Sequence, residues 1–194
     1  LFDQDAIHVN EVTGAIDYGL DGFDLSCIVA KSPGSIVCVS SKSKYKTLDD
    51  LVEASKKDNV TFAANAGATT YVMGAMLNEA GAEFNLVDMG GAADRIPALM
   101  GGQCDAIANA LGSAGQYLES GDFRALALLE DERNENYPDI PAAKELGYNA
   151  SFPMYYFFAF PKGTDSEIVE KLADACEEIA NMEEVQKAQF DSYA

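Results

Sequence analysis

The central part of the chain alternates short apolar runs with amphipathic helical repeats. Each apolar run is short enough for a buried strand, and most are followed by a loop of small residues and a helical pattern. The predicted strands are residues 25–30, 36–40, 60–64, 84–88, 104–109, 124–129 and the aromatic run 154–160. Strands that alternate with helices through short connections predict right-handed βαβ crossovers and a mostly parallel sheet.

The ends of the predicted helices carry recognisable signals. Thr47 is the expected N-cap of a helix that has Asp49 and Asp50 in its first turn. A second helix is expected to begin at Thr69 or Thr70 and to end at Gly81. Further helices are predicted over residues 92–100, 114–119, 165–182 and 183–190, and residues 130–141 are predicted to form a surface loop.

The charge balance narrows the classes of partner. The 194 residues include 32 acidic and 13 basic side chains, so the formal net charge is −19, while the 48% apolar content is typical of a globular chain. This charge excludes a general nucleic-acid binder and disfavours an anionic membrane surface. A small anion is still compatible with it, because backbone dipoles act locally and salt screens charges beyond about 10 Å.

The sequence lacks the patterns that are typical of membrane-spanning segments, signal peptides and metal sites. No run of about 18 apolar residues is present, and the first residues do not have the pattern of a signal peptide. Because His8 is the single histidine and no CxxC occurs, no metal site is predicted. No cofactor is predicted either, since the loop near Asn65 is not GxGxxG. The four cysteines are expected to be small buried side chains, and one disulfide, for example Cys27–Cys38, is left open.

Three loops of small residues, 65–70, 89–93 and 110–113, follow predicted strands. In a parallel sheet these loops share the carboxyl edge, where open α/β folds bind ligands. Small residues let a ligand approach the backbone, and the first N–H groups of the following helices are unpaired donors with partial positive charge. The pattern predicts a small-anion site built without Arg or Lys, although turns that only connect elements would look the same.

The candidate ligand-binding residues follow from these loops. The side chain of Asn65 is expected either to donate to a ligand or to cap its turn, and that of Asn109 either to face the crevice or to be a buried structural amide. Asp105 is expected to be structural. The candidates in the three loops are Asn65, Gly67, Ala68, Thr69, Thr70, Gly90, Gly91 and Asn109. No GxSxG, GxxxxGK[ST] or HExxH motif is present, so no catalytic residue is predicted.

Several short motifs, in order and over nearly the whole chain from about residue 23, carry a family resemblance. The most specific stretch combines RALALL at 124–129, ER at 132–133, YPDIP at 137–141 and KELGY at 144–148. Supporting motifs are KTLDDL at 46–51, GGQCD at 101–105 and FPKGT at 160–164. The chain resembles the extracytoplasmic solute-binding proteins of tripartite tricarboxylate transporters, whose members are usually longer than this sequence.

The resemblance implies an α/β fold of the type 2 periplasmic-binding-protein kind. Two Rossmann-like lobes would be joined by hinge strands near residues 36–40 and 151–156, and the first lobe would be incomplete. Residues 1–36 and 154–194 would form the first lobe, and residues 37–153 the second.

The resemblance also implies a function. The protein would not be an enzyme; it would capture a small organic carboxylate, such as a di- or tricarboxylate, and deliver it to membrane permease subunits. It would work at the periplasmic or extracellular face of the cytoplasmic membrane, with a lipid anchor before residue 1 as one option. Self-association of the shortened chain is another option, and no nucleic acid is expected as a partner.

The resemblance places the ligand against loop backbone, hydroxyl groups and water. His8, in Asp5-Ala6-Ile7-His8, falls where the other ligand-contacting loop of the family lies, so it joins the candidates. Tyr71 stands where the family usually has His, and Met89 where it usually has Tyr. Two alternatives stay open, namely the effector-binding domain of a LysR-type transcription regulator and a small α/β enzyme with an anion-binding loop.

Overall fold

A computed structural model describes residues 1–3, 5–12 and 14–193 of the protein. The chain forms two compact units. The first contains Leu1–Ser32 and Met154–Ala194, and the second contains Pro33–Pro153. The assignment of these units as the two lobes of a binding protein stays a prediction.

The second unit is built on a five-stranded sheet in the order β5-β4-β6-β3-β7. Its strands are β3 (Ser35–Ser40), β4 (Thr61–Ala64), β5 (Asn85–Asp88), β6 (Ala106–Ala110) and β7 (Phe123–Leu128). Its helices are α2 (Leu48–Ser55), α3 (Thr69–Glu79), α4 (Ala92–Met100) and α5 (Leu111–Glu119). The predicted strands and helices of this region are all present, with ends that differ by a few residues, most at α5, which begins three residues early.

The prediction of a mostly parallel sheet needs one correction. β4 pairs in parallel with both β5 and β6, but β3 is antiparallel to both of its neighbours, β6 and β7. Four of the five strands therefore run in one direction and β3 runs in the other. The apolar run 36–40 could not show this, because a strand covered on both faces has the same pattern in either direction.

Two apolar clusters lie in the second unit and together cover its sheet. One contains side chains of α2 and α3 with Phe62 and Phe84, whose rings are stacked at 5.3 Å. The other contains side chains of α4 and α5 with Cys38 and Ile107. Alternate residues of β3 enter opposite clusters, as period-2 geometry requires of a central strand.

The start of α2 confirms the predicted N-cap. The Asp50 backbone N–H donates to Thr47 Oγ1 at 3.1 Å, and Asp50 Oδ2 accepts from the Thr47 N–H at 3.1 Å, which completes a capping box. Backbone donors at Lys46 and Thr47 hold the pKa of the Asp50 carboxyl below its usual value. The helix terminus is therefore satisfied by the protein itself.

The first unit is built on a small antiparallel sheet in the order β1-β8-β2. Its elements are β1 (Phe2–Asp3), a π-helical turn (Asp5–Val9), a short α1 (Asn10–Val12), a 3₁₀ turn (Leu20–Gly22), β2 (Phe23–Lys31), β8 (Tyr155–Pro161), α6 (Ser166–Ala180) and α7 (Glu183–Tyr193). The predicted aromatic strand is β8, and its Phe157 stacks on Phe2. The Ser26 Oγ donates to the Val169 carbonyl at 2.9 Å and joins β2 to α6.

Apolar side chains of the first unit are unusually exposed. Ile28 of β2 is 66% exposed, and α6 has no buried residue. The other large apolar side chains exposed on β2, on α6 and just after it are Leu25, Ile168, Ile179 and Met182. Self-association through such surface stays a prediction. Of the helices in the described part of the chain, none has both the length and the apolar character needed to cross a membrane.

Gly74 should be indispensable for the packing of α3 on the sheet. A Cβ at this position would lie 2.7 Å from Leu86 Cδ2 and 3.2 Å from Phe62 Cδ1. We expect Gly74→Val to lower the free energy of unfolding by about 2 kcal/mol, because overpacking forces neighbouring side chains out of their rotamers. Urea unfolding followed by circular dichroism measures the change.

The matched control is Gly112→Ala. Gly112 is also a helical glycine, but a Cβ added there would meet no atom within 4 Å. We expect this variant to be as stable as the parent or more so, because alanine favours helix. Equal stability of the Gly74→Val variant and the parent would contradict the close approach.

Candidate functional site

Three loops meet at one edge of the sheet of the second unit. β5, β4 and β6 are parallel neighbours, so the loops that follow them leave from the same side, and Ala64 lies opposite Asp88 in the register. Because β3 runs in the opposite direction, its start also lies at this edge, with Ser35 opposite Ala110. The carboxyl edge therefore carries the loops after β4, β5 and β6 together with the segment that enters from the first unit.

The loop after β4 is a tight turn with local hydrogen bonds. The Ala68 N–H donates to the Asn65 carbonyl at 3.1 Å, and the Asn65 N–H donates to Thr70 Oγ1 at 3.0 Å. Gly67 has φ +77°, a conformation that residues with a Cβ rarely adopt. The Thr70 hydroxyl oxygen thus closes the loop, and its hydrogen is available to donate to another acceptor.

Asp88 joins the loop after β4 to the loop after β5. Its Oδ1 accepts from the Gly90 N–H at 3.1 Å and from the Ala66 N–H at 3.2 Å. The Gly90 donor, then the Ala66 donor, hold the pKa of this carboxyl below its usual value. Two loops that are distant in sequence therefore converge on one oxygen atom.

This role of Asp88 was not predicted from the sequence. The available signal was an acid at the last strand position, two residues before a glycine, which is the pattern of an Asx turn. The contact with Ala66, 22 residues away, needs the parallel pairing of β4 and β5 and has no local signal.

The helices that begin at this edge have no side-chain cap. The N-cap residues of α3, α4 and α5 are Ala68, Gly91 and Ala110, and none makes a side-chain cap hydrogen bond. By contrast, α2 and α6, which begin elsewhere, are capped by Thr47 and Asp165. Unsatisfied first-turn N–H groups carry partial positive charge, so three neighbouring helix starts are suited to an external anion.

The backbone at the three helix starts is also open. A Cβ added at Gly67, Gly91 or Gly112 would meet no atom within 4 Å. Apolar packing therefore does not fill the space at these glycines. Tyr71, in the first turn of α3, is 41% exposed, whereas Met89 packs against the apolar cluster under α4.

A buried cation lies behind the loop after β5. Arg95, in α4, is 4% exposed, and its Nη1 donates to the Gly90 carbonyl at 2.7 Å. Its Nε has no hydrogen-bond partner among the described residues. Burial lowers the pKa of Arg95, but a guanidinium stays charged at neutral pH, so the positive charge adds to that of the α4 terminus.

The prediction of an anion site built without Arg or Lys stays a prediction, and the structure adds a buried Arg95 behind the loop after β5. The sequence carried a signal, because Arg95 lies beside Ile96 and one turn before Leu99 on the buried face of α4. An Arg on an apolar helix face indicates a buried partner, which here is the Gly90 carbonyl.

The remaining candidates have different surroundings. Asn109 is 3% exposed at the end of β6, and its Nδ2 donates to Ser113 Oγ at 3.1 Å, so its amide links the strand to α5. His8 is exposed in the first unit, where it lines an apolar cavity. The structural prediction for Asp105 is confirmed, because its Oδ2 accepts from the Thr61 N–H at 2.9 Å and from Thr61 Oγ1 at 2.8 Å.

The second unit thus brings together the candidates from residues 65–70 and 90–91 and places Asn109 on the next strand. His8 belongs to the other unit. Among the described side chains, no group of three or more His, Cys, Asp or Glu is arranged to hold a metal ion. The chemistry that the second unit offers is donation of N–H and O–H hydrogen bonds to an anion.

Comparison with known proteins identifies relatives over nearly the whole chain. The sequence profile of the family described as "Tripartite tricarboxylate transporter family receptor" matches residues 16–193. Protein BugT of Bordetella pertussis is 30% identical over 139 residues, which are 69% of this chain and 43% of BugT. The chain spans about half the length of the curated relatives it matches.

Solved structures show the same fold. A TctC solute-binding protein from Polaromonas, solved without ligand, aligns with a TM-score of 0.85 at 20% sequence identity. The alignment covers 100% of this chain and 67% of the Polaromonas chain. MatC from Rhodopseudomonas palustris, solved with bound malate, aligns with a TM-score of 0.73 at 22% sequence identity. The alignment covers 90% of this chain and 61% of the MatC chain. These similarities establish a periplasmic-binding-protein-like fold.

Asp88 should make the stability of the second unit depend on pH. Because its folded pKa is lowered, its contribution is complete above the unfolded value of about 3.9 and is lost as the pH falls through the folded pKa. We expect Asp88→Asn to be less stable than the parent by a constant amount between pH 5 and 7, and the difference to shrink below about pH 4. Urea unfolding across pH measures it.

The matched control is Asp94→Asn. Asp94 is an acid in the first turn of α4 and does not bridge the two loops. It should change stability less than Asp88→Asn does at neutral pH. A stability difference for Asp88→Asn that stays the same down to pH 2.5 would contradict the bridge.

Proposed function

The chain belongs to the tripartite tricarboxylate transporter receptor family, and we propose that it captures a small organic carboxylate for delivery to a membrane permease. Members of this family are solute-binding receptors and not enzymes, and they are extracytoplasmic. The choice of ligand, the permease subunits and a lipid anchor belong to the proposal.

The observation that carries the proposal is the set of three uncapped helix starts on one sheet edge. A carboxylate placed there would accept hydrogen bonds from first-turn N–H groups and would lie in the positive field of three helix termini. Each terminus is equivalent to roughly half a charge, and the fixed cation of Arg95 lies behind one of them. This local field would allow anion binding by a chain of net charge −19.

The proposed roles of individual residues follow from their surroundings. The Thr69 and Thr70 hydroxyls would donate to a carboxylate oxygen, and Gly67 and Gly91 would let it approach the backbone. Asn65 and Gly90 would hold the turns, and Ala68 would leave the α3 terminus open. Asn109 would orient α5 through Ser113. His8 stays a candidate ligand-binding residue within the first unit.

The bound molecule in MatC supports the ligand class. That relative was solved with malate, a dicarboxylate, and shares the fold over 90% of this chain. We therefore propose a dicarboxylate as the first ligand to test, with tricarboxylates next. The family match does not favour a LysR-type effector domain or an α/β enzyme.

Substitution of Ala68, the N-cap of α3, tests the proposal with opposite effects on stability and binding. Its φ of −118° and ψ of 168° suit a capping side chain. We expect Ala68→Asp to raise the free energy of unfolding by about 1 kcal/mol and to remove carboxylate binding, because the new carboxylate would occupy the donors. Thermal shifts with malate, adipate and citrate, and calorimetry of any that stabilise, measure both.

The matched control is Ala68→Ser, which caps the helix without adding charge. It should gain stability, and its affinity for the carboxylate should fall far less than that of the Ala68→Asp variant. In the parent, a ligand at one hundred times its Kd should stabilise the fold by about 2.7 kcal/mol. Carboxylate binding that survives Ala68→Asp unchanged would exclude the α3 terminus as the binding site.

A further inference from the structure

Two thiols of the first unit lie against each other. Cys27 belongs to β2 and Cys176 to α6, both are half-buried, and their side chains are in hydrogen-bond contact. Both also line one cavity of about 650 Å³ that reaches the surface between β2 and α6. The pair is therefore close together and accessible to a small molecule.

A second contact fixes the alignment of these two elements. Ser26, the neighbour of Cys27, donates from Oγ to the Val169 carbonyl at 2.9 Å. Val169 precedes Cys176 by seven residues, or about two helical turns, so both lie on the same side of α6. The register of β2 against β8 shifts between Leu25 and Cys27, and this bulge interrupts the alternation that would otherwise send Ser26 and Cys27 to opposite faces of the sheet.

The other two cysteines are more deeply buried, although burial and then the hydrogen bond with Cys27 raise the pKa of the Cys176 thiol as well. Cys38 and Cys104 are buried in the second unit, where burial raises the pKa of the Cys38 thiol far above its usual value and that of Cys104 to about 11. Buried thiols of this kind react slowly, because the thiolate is the nucleophile. The Cys27–Cys38 pairing left open from the sequence is thus replaced by a contact between Cys27 and Cys176.

We propose that Cys27 and Cys176 are a modification site that forms a disulfide bond between β2 and α6. The oxidant is a small-molecule or protein disulfide. The thiolate of one cysteine attacks a sulfur of the donor disulfide, and the first donor thiol leaves. The second cysteine, as its thiolate, attacks the mixed disulfide, and the second donor thiol leaves. The two cysteines lose two protons and two electrons, and the donor becomes two thiols.

The bond would stabilise the part of the fold with the least burial. No residue of α6 is buried, so apolar contact alone holds this helix weakly. The cross-link would join positions 149 residues apart (176 − 27), which restricts the unfolded chain strongly. An extracytoplasmic location, as in the family, is one where disulfides form and persist.

The experiment compares the purified full chain in dithiothreitol with the same chain in oxidised glutathione. We expect oxidation to remove two hydrogen atoms from the intact mass and to join the peptides that contain Cys27 and Cys176. The melting temperature should rise by about 5–15 °C on oxidation. Mass spectrometry of non-reduced digests and scanning fluorimetry provide the two readouts.

Three variants make the outcome decisive. Cys27→Ser and Cys176→Ser should each abolish the difference in melting temperature between the two conditions, whereas Cys104→Ala should keep it even if its overall stability falls. A disulfide bond that involves Cys38 or Cys104 would overturn the proposal. Alkylation of Cys27 and Cys176 as free thiols after the oxidation step would also overturn it. Carboxylate binding by Cys27→Ser, measured separately, tests the proposed function independently.

Discussion

The direction of one strand, β3, organises the edge of the sheet where the candidate site lies. Since β3 is antiparallel to both neighbours, the chain enters the second unit at the edge where β4, β5 and β6 end. The Leu111 N–H donates to the Gly34 carbonyl at 2.9 Å, and the Leu129 N–H to the Ser35 carbonyl at 2.7 Å. α2, which follows β3, begins at the opposite edge and carries its own cap. The uncapped helix starts therefore share an edge with the connecting segment.

Electrostatics at this edge differ from those of the molecule as a whole. The chain carries a net charge of −19, yet the loops present backbone donors, and the buried guanidinium of Arg95 lies behind them. Asp88 uses the N–H groups of Ala66 and Gly90, which fixes both turns. It does not use the first-turn N–H groups of the helices, of which that of Leu111 donates to the Gly34 carbonyl. A carboxylate of the protein thus organises the loops of the proposed site.

The first unit relies on different forces. Its sheet is antiparallel and aromatic, with Phe2, Phe23 and Phe157 in ring contact, and its long helix buries none of its residues fully. Polar contacts such as that of Ser26 with Val169 therefore matter more here than in the second unit. The proposed bond between Cys27 and Cys176 would add a covalent link where burial is least.

The sequence by itself determined the elements and the family. Periodicity located the strands and helices, Thr47 identified a cap, and ordered motifs indicated the receptor family, because these signals are local. The three candidate loops were also predicted. Only the tertiary structure decided the direction of β3, the bridge from Asp88 to Ala66, the burial of Arg95 and the contact of Cys27 with Cys176. Each depends on pairing between distant segments, which no local pattern of side chains specifies.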